Sequence, residues 1–146
     1  MYRYAQRMKE ATLKSYMKKL MTRDSLKDFL GDNSSNGLDA PVIYVVPSCG
    51  PLIAGQTFGK KLVEISSWVL VDDEATEAVL RHELAHAVKV HCNLQGAAHG
   101  AGFTSSLKSV SPRKWRTDKY WWPTPAIEEA RLKIHTKSKS ILNRVG

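Results

Sequence analysis

Apolar residues recur at helical spacing near the start of the chain. Leu13, Tyr16, Met17, Leu20 and Met21 follow the i, i+3, i+4, i+7, i+8 order, with Lys14, Lys18 and Lys19 between them. This predicts an amphipathic helix over residues 3–22 whose stripe faces a core, or failing that a partner or membrane surface. Asp24 is placed to cap a short helix at residues 25–30 that Gly31 stops. Residues 32–41, DNSSNGLDAP, are turn-rich. The pattern then changes. Val42–Val46 is a β-branched and aromatic run, and residues 52–58 and 61–66 read as two further strands joined across Gly59-Lys60 as a hairpin. In the second of these, Leu62, Glu64 and Ser66 alternate with Val63 and Ile65, so one face is expected to be buried and the other wet.

Helical periodicity returns at residue 73 and runs to about residue 92, with Asp72 or Asp73 as cap and Asp73 and Glu74 suiting the positive N-terminal end. Ala75, Val79, His82, His86 and Val90 share one face, and Leu80, Leu84 and Val88 another. A helix apolar on more than one side is central and buried. Residues 93–102, NLQGAAHGAG, form a small-residue loop containing His99. Residues 103–110 read as a helix closed by Ser111-Pro112, and residues 126–145 as a last helix with Ile127, Ala130, Ile134 and Ile141 as its apolar contacts. This order predicts an α+β fold: N-terminal helices, a small antiparallel sheet, a central helix and C-terminal helices. With 146 residues and no internal repeat, it predicts a single domain over residues 1–146.

Composition narrows the class. No run approaches the roughly 18 uncharged apolar residues that span a bilayer, and the basic start lacks the apolar stretch of a signal peptide. The protein is therefore expected in the cytoplasm or at the nucleoid or nucleus, without a membrane partner. Cys49 and Cys92 alone exclude a disulfide framework and a four-Cys zinc ribbon. Two reduced thiols are expected, a single bridge being the alternative. The net charge of +8 is unevenly spread: residues 1–30 hold eight Lys/Arg against three acids, residues 31–80 two against seven, and residues 101–146 ten against three. Basic ends around an acidic middle suit a polyanion partner, or are solvated helix faces.

The candidate chemistry lies in His82-Glu83-Leu84-Ala85-His86. Two His four apart on a helix stand one turn above each other and reach one metal ion, while Glu83 borders the same face. A zinc peptidase needs three protein ligands, an open position for water, and a carboxylate that takes the water's proton and returns it to the leaving amine. Glu83 fits the carboxylate role. For the third ligand, the metzincin spacing would put Gly at 89 and His at 92, where this chain has Lys89 and Cys92. His91 points away from the His82/His86 face. His99, in a loop able to fold back under the helix, is the best-placed candidate. Glu128 and Glu129 are alternatives, far downstream in a charged stretch expected to be exposed. His135 is expected exposed, Cys92 a small buried residue, and Trp68 part of the core or a cleft wall.

The order of hairpin, HELAHA and then His99-Gly100-Ala101-Gly102-Phe103 resembles the SprT-like, or Spartan-type, zinc metalloprotease domain, whose H-E-x-x-H is followed by an H-G-x-x-[FW] segment. AGQTFGKKLVEISSWVL before the helix is similar to that family's hairpin and strand end. The likeness covers residues 13–115 or so and leaves a basic, aromatic extension at about 112–146. It implies a zincin-like fold, one Zn²⁺ held by His82, His86 and His99, Glu83 as general base, Phe103 packed beneath the third ligand, and cleavage of proteins attached to or crosslinked with DNA. Many members continue into a CxxC…CxxC ribbon that two cysteines cannot build.

The extension interleaves cations with rings at Arg113, Lys114, Trp115, Arg116, Lys119, Tyr120, Trp121 and Trp122. That composition suits stacking on unpaired bases with phosphate neutralisation, or packing of the Trp residues onto the core. Three readings follow: a zinc endopeptidase acting on DNA-associated protein, a DNA-binding module with structural zinc, and a peptidase with a dedicated non-DNA protein substrate. The oligomeric state is left open.

Overall fold

The computed structural model describes residues 2–112 and 124–136, with side chains from residue 10 onward. Helix α1 (Tyr2–Met21) lays its stripe on the core as its spacing predicts: Leu13, Met17 and Leu20 are buried, and Tyr16 and Met21 pack at the margin. Helix α2 (Asp24–Asn33) differs from its prediction at both ends. Arg23 is the N-cap and makes no side-chain cap, so Asp24 is the first helical residue. Gly31 stays inside the helix, which closes through the Ser34 N–H to the Leu30 carbonyl at 2.8 Å.

Strands β1 (Val42–Val46), β2 (Gly55–Phe58) and β3 (Leu62–Ser66) form one sheet in the order β1-β3-β2. β2 and β3 are the expected antiparallel hairpin, turning through Gly59 at φ 62°. β1, however, runs parallel to β3, so the sheet is mixed rather than antiparallel. The hairpin uses one edge of β3 and leaves the other for β1. Pairing there sets Ile43 beside Val63 and Val45 beside Ile65, all buried. β2 is also shorter than predicted. Leu52 and Ile53 lie exposed in a turn that the Ile53 N–H closes onto the Gly50 carbonyl at 3.3 Å, and the Ser66 hydroxyl donates to the Ile53 carbonyl at 2.7 Å.

A 3₁₀ turn (Ser67–Val71) carries Trp68 into the core, its Nε1 donating to Ser48 Oγ at 3.0 Å. Helix α3 (Asp73–His91) follows, with Asp72 as the cap, accepting from the Ala75 N–H at 2.9 Å. Ala75, Val79, Leu80, Leu84, Ala85, Ala87 and Val88 are all buried, so α3 is the central element that its two-sided apolar pattern predicts. Helix α4 (Ala101–Val110) packs along it.

Helix α5 (Pro125–Ile134) starts at a Thr124 cap with Pro125 in its first turn and packs on the 3₁₀ turn. Ile127 is buried, but Ile134 is exposed, and Ile141 lies outside the described residues. The buried face continues instead through Arg131, whose guanidinium donates to the Pro51 carbonyl at 3.0 Å and meets Glu128 at 3.4 Å. His135 is half-buried rather than exposed, its Nε2 2.7 Å from Ser48 Oγ. Both cysteines are free, and burial pushes both thiols up, which disfavours the thiolate. No helix of the described residues is long and apolar enough to cross a membrane.

Candidate metal centre

His82 and His86 leave α3 one turn apart, as their spacing requires. His99 reaches them because the chain reverses at the end of α3. Asn93 takes a left-handed φ of 52°, its N–H bonds the Val90 carbonyl at 3.0 Å, and the Leu94 N–H bonds the Lys89 carbonyl at 3.0 Å. This is the Schellman closure, with Asn in the position that Gly usually fills. Gly96 at φ 106° makes a second bend, and its carbonyl accepts from Lys89 Nζ at 3.3 Å. The loop therefore folds back along the last turn of α3 and delivers His99 just before α4.

The ligand atoms of His82, His86 and His99 all lie within 4.8 Å of one another, close enough to bind one metal ion. Nε2 of His82 is 3.2 Å from Nε2 of both His86 and His99. One ring nitrogen carries one hydrogen or one lone pair, so it cannot form two hydrogen bonds of that length together. Three nitrogens at tetrahedral angles around an ion about 2.05 Å away would be separated by about 3.3 Å. The donor set thus fits a shared cation. The Phe103 ring is buried with its centre 4.8, 4.5 and 4.8 Å from those of His82, His86 and His99, and it packs against all three. An open cleft of about 420 Å³ faces them, lined also by Gly55, Thr57, Val90 and Ala98.

Glu83 sits beside this cluster, 5% exposed. Thr57 Oγ1 lies 2.8 Å from its Oε1 and 3.0 Å from its backbone carbonyl. Thr57 can donate to the carboxylate. When Glu83 is protonated, the acid can donate to Thr57 while the hydroxyl donates to the carbonyl. One residue thus partners both states of the acid. Burial is the main influence on Glu83 and pushes its pKa from 4.5 up to about 7, against the pull of the Thr57 hydrogen bond.

The metal-free protein should show this in its stability. Native Glu83 holds its proton to higher pH than the unfolded chain does, so stability falls as pH rises from about 4.5 through 7. Metal-free Glu83→Gln should therefore be more stable than metal-free wild type at pH 8, by up to about 3 kcal/mol. The advantage should vanish near pH 4.5. Denaturant melts of chelated protein across this range measure it, and a constant difference would contradict the buried acid. A bound cation would itself lower the Glu83 pKa, which is why chelation is required.

Two site residues escaped the sequence reading. Thr57 is one, and Gly55 is the other: a Cβ on Gly55 would meet Val79 Cγ1 at 2.9 Å, the Glu64 carbonyl at 3.1 Å and Glu83 Cγ at 3.3 Å. Only glycine lets β2 lie this close to the motif helix. The signal was present in the period-two pattern, which puts Gly55 and Thr57 together on the inward face of a strand preceding HELAHA. Of the alternative ligands, Glu128 is buried against Arg131 rather than exposed, and Glu129 is exposed 3.8 Å from Lys133. His91 ends α3 against the Asn36 carbonyl at 2.8 Å, away from the cluster. Arg113, Lys114, Trp115, Arg116, Lys119, Tyr120, Trp121 and Trp122 lie outside the described residues. No family model, curated protein or solved structure matches this chain.

Proposed function

We propose that this chain is a zinc-dependent endopeptidase with a zincin-like, SprT-like domain, acting on proteins associated with or crosslinked to DNA. One observation carries the reading: three imidazole nitrogens converge at metal-binding distance with a buried, hydrogen-bonded carboxylate beside them. His82, His86 and His99 would hold the ion. Zinc, when bound, supplies an acidified water and polarises the carbonyl to be cleaved. Glu83 takes the proton of the attacking water and returns it to the leaving amine. Thr57 holds the carboxylate in place before and after that transfer. β2 is an edge strand lining the cleft, so an extended substrate can add to it by main-chain hydrogen bonds.

The substrate class rests on charge. The net charge of +8, concentrated at the two ends of the sequence, suits a polyanion partner. Action would then take place on DNA, in the cytoplasm or the nucleus. Cleavage of an unfolded DNA-binding protein should rise when DNA is added, and DNA binding should weaken steeply as salt rises. Cleavage indifferent to DNA, together with salt-independent binding, would leave a peptidase with a dedicated protein substrate.

A further inference from the structure

Arg81 directly precedes the first histidine of the motif on α3, and it is buried, only 4% exposed. A guanidinium keeps its charge at any physiological pH. A buried cation is expected to meet a carboxylate, because an unpaired charge is costly inside a protein. Arg81 departs from that rule. No carboxylate among the described residues forms an ion pair with it. Its Nη1 donates instead to the neutral hydroxyl of Tyr16 at 2.8 Å. Glu77 stands four residues earlier on the same helix, the spacing that favours a pair, yet Glu77 is exposed.

A second guanidinium joins the first. Arg23, between α1 and α2, is half-buried, and its Nε–H is buried with no acceptor among the described residues. Both arginines line an open pocket of about 400 Å³ between α1 and the first half of α3, together with Lys19 and Tyr16. Tyr16 completes a set of donors. Its oxygen accepts from Arg81, so its own hydrogen is left to donate into the pocket. Burial raises the Tyr16 pKa against the pull of the Arg81 charge, which keeps that hydrogen in place. The pocket shares no residue with the cleft of the metal centre.

We propose that this pocket binds a single phosphate group of a small molecule, held by Arg81, Arg23, Lys19 and Tyr16. Two guanidinium groups present forked N–H donors, which match the oxygens of phosphate. A dianion with several oxygens can engage all four side chains, whereas a carboxylate brings one charge and two oxygens. Glu74 and Glu77, exposed at the rim, bear on the size of the ligand. They repel phosphates that run on past the pocket more than one seated against the arginines, so the fit is to a lone phosphate rather than to a nucleic-acid backbone. Bound there, the anion would tie α1 and the start of α2 to the motif helix, at the residue before His82. The inference stands apart from the peptidase reading, since the pocket and its donors are the same whether or not the chain cleaves peptides.

The test is a calorimetric titration of the full chain with inorganic phosphate at fixed ionic strength, with chelator present so that no metal ion captures the phosphate. Wild type should show a saturable site, and its melting temperature should rise with occupancy. Acetate should not compete. Arg23→Gln should weaken phosphate binding about tenfold or more. Glu77→Gln should tighten it, because a repelling rim charge is gone. Arg81→Met should abolish the site and, without phosphate, melt no lower than wild type, because it removes an unpaired buried charge. If Arg81→Met does not fold, Arg23→Gln carries the test alone. A wild type with no saturable site overturns the proposal, and so does equal affinity in Arg23→Gln. A Glu77→Gln protein that melts lower and binds phosphate no better would make Glu77 the partner of Arg81 and also overturn it. A single-stranded oligonucleotide that binds tighter than phosphate, with the same dependence on Arg23, would overturn the small-molecule ligand.

Discussion

Replacing Glu83 with Gln is expected to lower peptide-bond cleavage by about 10²- to 10⁴-fold while metal content and fold stay as in the wild type. That loss corresponds to about 3–5 kcal/mol on the barrier. The two side chains have nearly the same shape, and Thr57 can still donate to the amide oxygen where it now donates to Oε1 at 2.8 Å. What Gln cannot do is accept the proton of the attacking water and pass it on. The prediction is sharp because Glu83 is not one of the three clustered imidazoles, so the ion should not depend on it. Rate assays on an unfolded substrate, paired with metal analysis, measure both quantities. A Gln variant that keeps zinc and loses no function would assign the site to a structural metal and the chain to a DNA-binding module.

His99→Ala is expected to weaken metal affinity by at least about a hundredfold, since even partners one shell further out typically contribute ten- to a hundredfold. The effect should be visible in stability. With free metal at a thousand times its Kd, wild type should gain about 4 kcal/mol over its chelated form. A hundredfold weaker site under the same conditions should gain only about 1.4 kcal/mol. Thermal melts with and without chelator, and metal titration, provide the numbers. Unchanged stoichiometry and affinity would remove His99 as a ligand and, with it, the proposal of a SprT-like domain. Glu128 offers no ready substitute, because it is buried against Arg131 at 3.4 Å.

How much of this was legible beforehand depends on the range of the interactions involved. The spacing of His82 and His86, the Asp72 cap and the two-sided apolar pattern of α3 are set by residues within a turn or two of one another. The strand Val42–Val46 has the bounds its β-branched run suggests. Errors concentrate where a distant residue decides the outcome. Leu52 and Ile53 have strand character, but the chain there turns onto the Gly50 carbonyl and the Ile53 carbonyl is taken by the distant Ser66 hydroxyl. Glu128 sits among charges and reads as exposed, yet Arg131 and the Pro51 carbonyl draw that face of α5 into the core.

By itself, then, the sequence determined the α+β class, the motif helix with its two histidines and acid on adjoining faces, and a third histidine in a loop short enough to return. Those are consequences of helical and strand periods and of local chain length. Only the tertiary structure decided that β1 lies parallel to β3, that Asn93 and Gly96 turn His99 onto the same point as His82 and His86, and that Gly55 admits β2 close enough for Thr57 to hold Glu83. The strand pairing and the close approach at Gly55 depend on which buried surfaces meet across the fold, and the turn at Asn93 and Gly96 is local but its direction onto the histidine pair is seen only in three dimensions. A local period says which face turns inward, but the hydrophobic effect is non-directional and does not say which surface that face meets.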